Sequence, residues 1–322
     1  MAVSNEPVAN VAWEPKPIGE KFIRPKSSFG GLLGKEWLLF LLFIAPNFLF
    51  LILFTYWPLI RNFQLSMQTV NPYTRAQSFS GLDNYERLLD DRVFKMVATN
   101  TAIFIVACVF FTLGLGLLIA LLLNEKLKGR TAVRALVFAP YLIAGSAVAL
   151  VWAYIFNPRS GLIAQVLGWF DITGPRWLED PTWALTAIII VYVWKNLGFA
   201  TVVFLAGLQG IPKDLYEAAK LDGASAWWRF RSVTLPMLSP ISFFLMVTSV
   251  LSTFQAFDIQ DVMTGGGPAY STTTLVYYVY DQAFQAQRWE RAAAAAVMLF
   301  ILMLIVTIGQ TLWERKRVHY GG

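Results

Sequence analysis

Six long apolar stretches alternate with polar segments along this chain, at roughly 36–57, 96–123, 132–156, 183–208, 237–257 and 292–313. Each has about the 20 residues an α-helix needs to cross a bilayer, where lipid offers unpaired backbone groups no hydrogen-bond partner. The pattern predicts an all-α membrane protein with six transmembrane helices over residues 36–322. The second stretch carries Asn100 and Thr101, and the fourth carries Lys195 and Asn196. Polar groups are costly in hydrocarbon, so these two helices are expected to face protein or a cavity on one side.

Before the first stretch, residues 1–35 are polar and broken by Pro7, Pro15, Pro17 and Pro25, then by Gly30, Gly31 and Gly34. They lack a short apolar core followed by a small-residue cleavage site, so a flexible cytoplasmic tail is expected rather than a removable signal. Charge orients the spans. Lys16, Lys21, Arg24, Lys26 and Lys35 precede the first, Lys126, Lys128, Arg130 and Arg134 follow the second, and Lys213, Lys220, Arg229 and Arg231 follow the fourth. Arg315, Lys316 and Arg317 follow the sixth. The other loops are longer and mix fewer basic residues with many acids, so the positive-inside rule predicts both termini in the cytoplasm. Large loops at 58–95, 157–182 and 258–291 then lie outside.

Composition agrees with the pattern. Of 322 residues, 57% are hydrophobic and only 14% charged, against about 25% charged in soluble domains. A net charge of +6 could suggest nucleic acid, but the basic residues are scattered between apolar segments and form no stripe, so no nucleic-acid partner is expected. Cys108 is the only cysteine, which excludes an internal disulfide, and it reads as a small buried hydrophobe.

The loop between the fourth and fifth stretches is the most informative. It begins Leu208-Gln209-Gly210-Ile211-Pro212-Lys213-Asp214 and runs through Glu217-Ala218-Ala219 to Asp222-Gly223-Ala224. Pro212 suits a helix's first turn, and Asp214 complements the positive end of its dipole. Gly223 allows the left-handed turn that ends that helix, Ser225 can cap a second short helix, and Pro236 is expected to stop it. A helix-turn-helix along the cytoplasmic face over about 209–236 follows. Ala218 and Ala219 keep one side thin enough for another surface to approach.

These residues resemble the signature of permeases in binding-protein-dependent ABC importers: Glu-Ala-Ala, three residues, Gly, nine residues, an aliphatic, one residue, Leu-Pro. Glu217, Ala218, Ala219, Gly223, Val233, Leu235 and Pro236 occur at that spacing, with Asp222 and Ala224 as in the carbohydrate-uptake branch. The likeness extends over nearly all the chain after residue 35, through Ser66–Tyr73, Gly81–Tyr85, Phe156–Pro158, Gly161–Ile163, Thr264–Pro268, Thr272–Tyr277 and Glu314–Tyr320. Within that branch it is greatest to glycerol-3-phosphate permeases, with maltose and trehalose permeases as near relatives.

The resemblance implies that 209–236 holds a coupling helix that docks on a separate ATPase subunit, with Glu217 orienting it and Gly223 setting its bend. It implies a second homologous permease subunit, two copies of the ATPase and an extracytoplasmic binding protein, assembled in the bacterial plasma membrane. ATP and Mg would then be bound by the ATPase subunits, with no cofactor on this chain and no enzymatic activity of its own. The implied cargo is glycerol-3-phosphate or a glycerophosphodiester such as glycerophosphocholine, or alternatively a disaccharide such as trehalose or maltose. The chain contains no Gly-x-x-x-x-Gly-Lys-Ser/Thr phosphate loop, and Gly265-Gly266-Gly267-Pro268, which lacks the lysine, reads as a turn.

For the substrate path, Lys195 stands out because it lies about twelve residues into its span, too deep for easy snorkelling. It could attract a phosphate, or pair with an acid of a partner subunit. Asn196, Trp194, Asn100, Trp152, Gln255 and Asp258 are further candidates, the aromatic ones because rings can stack on polyol or choline faces. Loops 58–95 and 258–291 are the expected docking surface for a binding protein. A secondary transporter is the alternative class, but it would not explain the Glu217–Gly223 signature. A membrane enzyme finds little support, since the single histidine is His319 and no paired carboxylates share a membrane depth.

Overall fold

The computed structural model describes residues 35–70, 74, 76–125 and 128–317; the expected tail and the basic end beyond 317 lie outside the described residues. The chain divides into two units, Met1–Trp57 and Pro58–Gly322. In the first, the described residues form α1 (Lys35–Leu51), which accommodates Pro46, and one π-helical turn, Ile52–Tyr56. Its side chains are almost all exposed, as suits a helix whose solvent is lipid.

The second unit carries the rest. After α2 (Trp57–Ser66) comes a small departure from the all-α expectation, an antiparallel pair β1 (Gln68–Val70) and β2 (Gln77–Phe79) with Gln68 opposite Phe79. Asn84, in α3 (Asp83–Asp90), donates to the carbonyls of Ser66 and Gln68 and so pins the hairpin's base. Next is α4 (Arg92–Asn124), capped by Asp91, whose carboxylate accepts from the Val93 N–H at 2.6 Å. That carboxylate also pairs with Arg291, whose Nε donates to the Tyr278 hydroxyl at 2.7 Å. Burial, reinforced by Asp281, pushes the Tyr278 phenol up, so it stays a neutral partner for Arg291.

The third apolar stretch is not one straight span. It forms α5 (Arg130–Leu142) and α6 (Gly145–Ile155), bent by 102° at the extended residues Ile143 and Ala144. Pro140 removes a backbone donor near the end of α5, and the Asp258 carboxylate occupies the space a Cβ at Gly145 would need. A continuous apolar run hides such a break, because hydropathy records burial in lipid and not direction.

Beyond α6 come α7 (Leu162–Gly168) and the 30-residue α8 (Pro181–Gly210), capped by Asp180 and opened by Pro181. The next loop folds as α9 (Lys213–Leu221), α10 (Ala226–Arg229), a π turn over Phe230–Thr234 and α11 (Leu235–Met237). Then come α12 (Ser239–Phe254), α13 (Asp258–Thr264), α14 (Leu275–Tyr280) and α15 (Trp289–Arg317). Pro236 does not stop the second short helix as expected. It opens a fresh α-helical turn after the π turn, where its missing N–H costs little, and the break comes at Leu238, with a bend of 64°.

Among the described residues four helices are long and apolar enough to cross a membrane, or up to six if each bent pair is one span. The core of the second unit is α8, with α4 and α5 packed along it and α12 against α4. Small residues let these helices approach closely. A Cβ on Gly116 would come within 2.9 Å of the Ala200 Cβ, and one on Gly198 would meet the Val137 carbonyl.

Candidate functional site

Two features stand apart from ordinary packing. One is the exposed helix pair after α8; the other is a polar cavity among the spans.

Helix α9 ends in a Schellman motif: the Gly223 N–H reaches the Lys220 carbonyl at 3.0 Å, and the Ala224 N–H reaches the Ala219 carbonyl at 2.9 Å. The motif needs a left-handed residue at Gly223, whose φ is +75°. Ser225 then accepts from the Trp228 N–H at 3.2 Å and starts α10. One side of α9 is fastened, with Ala219 buried and the Tyr216 hydroxyl 3.0 Å from that of Thr234. The other side is bare. Glu217, Ala218, Asp222 and Gly223 are exposed, Leu235 is partly so, and Leu221 shows 89% of its surface, while Ala224 and Pro236 are half-buried. The bare side thus sets an exposed leucine beside an acid and the thin Ala218.

Tyr216 and Val233 pack on a core made of Ala120, Leu123, Ala200, Phe204, Leu205, Leu208, Leu238 and Leu245. That core joins the loop to α4, α8 and α12. At its far end Ala200 also lines the cavity, of about 60 Å³, together with Cys108, Thr112, Tyr141, Tyr192, Asn196, Phe199, Thr248, Ser249, Ser252 and Thr253. The lining is neutral and rich in hydroxyls. The Thr112 hydroxyl is buried and has no hydrogen-bond partner. Such a group is costly in a dry interior.

Of the residues singled out from sequence, Asn196 lines this cavity, with its amide donating to the Tyr192 carbonyl at 2.8 Å. Lys195 stands one ring away, half-buried, its Nζ 5.6 Å from the centre of the Tyr141 ring. Among the described residues no carboxylate lies within ion-pair distance of it. Trp194 and Trp152 pack on each other with ring centres 5.4 Å apart, outside the lining. Asn100 is buried, and its amide donates to the Tyr270 and Thr273 carbonyls. Gln255 is exposed just past α12, and Asp258 opens α13 beside Gly145. Sequence reasoning missed Thr112, Tyr141, Thr248, Ser249, Ser252 and Thr253. The last four recur at helical spacing within an apolar span, a signal that was readable.

Long apolar helices around a polar cavity, joined by one core to an exposed helix in the loop after α8, define a membrane transport subunit. The chain belongs to the family of binding-protein-dependent transport system inner membrane components, which matches residues 112–319. It is a multi-pass inner-membrane component of an ABC transporter, the subunit that spans the membrane rather than the ATPase. It is 33% identical over 297 residues to the sn-glycerol-3-phosphate transport system permease protein UgpA of Salmonella choleraesuis (strain SC-B67), covering 91% of this chain and 99% of that protein. The UgpA protein of Agrobacterium fabrum (strain C58 / ATCC 33970) is also 33% identical, with 87% and 96% covered. Among solved structures, a bacterial ABC transporter that imports the acidic polysaccharide alginate matches with a TM-score of 0.76 and 25% identity, over 87% of this chain and 96% of that one. The same likeness holds for that transporter in complex with a periplasmic protein bound to alginate pentasaccharide.

Proposed function

We propose that this chain forms the cargo path of an ATP-driven importer for glycerol-3-phosphate or glycerophosphodiesters such as glycerophosphocholine. An extracytoplasmic binding protein hands the cargo over, and the chain pairs with a second permease above two ATPase subunits that hold ATP and Mg. Both termini then lie in the cytoplasm, and α9 is the coupling helix. The observation that carries this reading is the single packed core running from Tyr216 on α9 to Ala200 at the cavity. Closure of the ATPase subunits moves α9, and a close-packed core passes that motion on as a rigid shift rather than absorbing it.

At about 60 Å³ the cavity is smaller than any of these cargoes, so the helices around it must separate to admit one. Its hydroxyls and the Asn196 amide suit a glycerol moiety. Lys195, held against Tyr141, supplies a point charge for the phosphate. The relatives named as sn-glycerol-3-phosphate permeases support this cargo. The cavity's neutral lining favours a second reading, a disaccharide such as trehalose or maltose handled by the same machine.

Reconstituted with its partners, the complex should take up glycerol-3-phosphate, and Lys195→Met should abolish that uptake while the complex still assembles. Normal uptake by the variant would remove Lys195 from the path. Trehalose uptake that survives the substitution, with no glycerol-3-phosphate uptake by the native complex, would favour the second reading.

A further inference from the structure

Helix α7, between the bent third span and α8, begins pressed against the last turn of α6. A Cβ on Gly161 would lie 2.5 Å from the Ile155 carbonyl and 2.7 Å from that of Tyr154, so glycine is what lets the two segments approach. One side of α7 is then used inside the chain. Ile163 packs on the core around Phe156, and Leu167 fills the space beside Gly174. The other side is apolar and bare: Leu162, Val166, Trp169 and Phe170 are all exposed, Trp169 by 79%. They stand at i, i+4, i+7 and i+8, the spacing of one helix face. The turn carries on past the end of α7, since the Trp169 N–H reaches the Gln165 carbonyl at 3.3 Å and the Phe170 N–H that of Leu167 at 3.0 Å. A helix apolar on both faces needs cover on both.

Depth and continuity say what covers the outer face. Phe156, Trp177 and Trp183 form a chain of rings with centres 5.2 and 5.4 Å apart. That chain ties the end of α6, and the inner side of α7 packed on it, to the first turn of α8. With 30 residues α8 is about 45 Å long, which matches a bilayer measured across its headgroups. Its first turn, and α7 beside it, therefore lie at headgroup level. The stripe also continues the exposed apolar face of α6, made of Leu150, Val151 and Tyr154 in a membrane span. Tryptophan beside exposed aliphatic side chains at a span's end is the composition of a membrane interface.

We propose that α7 lies in the plane of the membrane interface, with Leu162, Val166, Trp169 and Phe170 immersed where headgroups meet acyl chains. The occupant of the bare face is the bilayer itself. The loop over 157–182 then runs along the membrane rather than above it, and it moors one end of the bent third span to lipid. Only the choice of leaflet, the outer one, rests on the topology under the proposed function.

Cys108 is fully buried, so a cysteine placed at an exposed position takes a fluorescent label selectively. With the complex reconstituted in phospholipid vesicles, a label on Phe170→Cys should sit about 5–10 Å into the boundary between headgroups and acyl chains. A lipid spin quencher near the headgroup should quench it more strongly than one near the chain end, and aqueous iodide only weakly. Leu162→Cys should behave likewise, whereas Glu86→Cys, exposed on α3, should be quenched by iodide alone. The readout needs no uptake, so a wrong cargo would leave it unchanged. Iodide quenching at Phe170→Cys as strong as at Glu86→Cys would overturn the proposal. So would a label shielded from both quenchers, which would assign the stripe to the second permease subunit. Shielding that appears only when the binding protein is added would overturn it too, and would assign the stripe to that protein.

Discussion

Opposite ends of α12 carry loops that are alike in make-up and unlike in construction. Residues 209–236 and 257–288 each hold short helices, a π turn (Asp281–Gln285 in the second) and left-handed glycine, Gly223 in the first and Gly265 and Gly266 in the second. The first leaves Glu217, Ala218, Leu221 and Asp222 exposed and is fastened along one side, by Ala219, by the core under Tyr216 and Val233, and by the Tyr216–Thr234 hydroxyl pair. The second turns its polar groups inward. Thr264 bonds Thr272, Thr273 reaches the Gly266 carbonyl, Thr274 donates to Gln260, and Thr101 accepts from the Leu275 N–H. Asn100 of α4 then fixes the chain at Tyr270 and Thr273. One loop leaves a bare side beyond its fastened one, and the other ties its polar groups to its own helices. Polar residues in a loop reveal which kind it is only through where their partners lie.

The sharpest test of this contrast uses two glycines of nearly equal φ, +79° at Gly266 and +75° at Gly223. A Cβ at Gly266 would lie 2.5 Å from Tyr277 Cε1 and 2.8 Å from Thr273 Oγ1, whereas at Gly223 nothing lies within 4 Å. Gly266→Val should therefore be the most damaging change, costing about 3 kcal/mol or more and lowering the yield of folded protein in a detergent melting assay. Asn100→Leu comes next, since it strands two carbonyls at a cost of about 1–3 kcal/mol, read as a lower melting temperature.

At the other end of α12 the losses should shift from stability to assembly. Gly223→Ala should cost only about 1–2 kcal/mol from its left-handed backbone. Its effect should be seen mainly as weaker copurification of the ATPase. Thr234→Val removes one hydroxyl contact to Tyr216, about 1 kcal/mol. It should leave the ATPase bound while slowing uptake per ATP hydrolysed. Equal melting temperatures for Gly266→Val and Gly223→Ala would break the comparison outright.

Much of this was legible in the residues. The apolar stretches at 96–123 and 183–208 became α4 and α8 almost end for end, because Asp91 and Asp180 cap helices with no proline past the first turn. In the loop after α8 the roles of Gly223 and Ser225 could be read from local backbone chemistry alone, and both hold, while Pro212 sits at the N-cap, one residue before the first turn expected for it. The 102° bend after Leu142 was legible only as a weak point, through Pro140 and Gly145, and its angle not at all, since Ile143 and Ala144 are as apolar as their neighbours. Nor were the partners of Asn100, which lie about 170 residues away. The cavity was half visible, through Asn196 and the hydroxyls of α12, but its other walls come from α4 and α5.

By itself, then, the sequence determined that this chain lives in lipid, roughly where it crosses, and where the short helices after α8 turn. Each of those properties belongs to a segment of some twenty residues and follows from that segment's own transfer energy and capping chemistry. Only the tertiary structure decided how sharply the third span bends, that Lys195 lies over the ring of Tyr141, a residue of the cavity wall, and that one core ties α9 to that cavity. Those depend on which faces of distant helices meet, and close approaches such as Gly116 on Ala200 settle that only once the helices are packed.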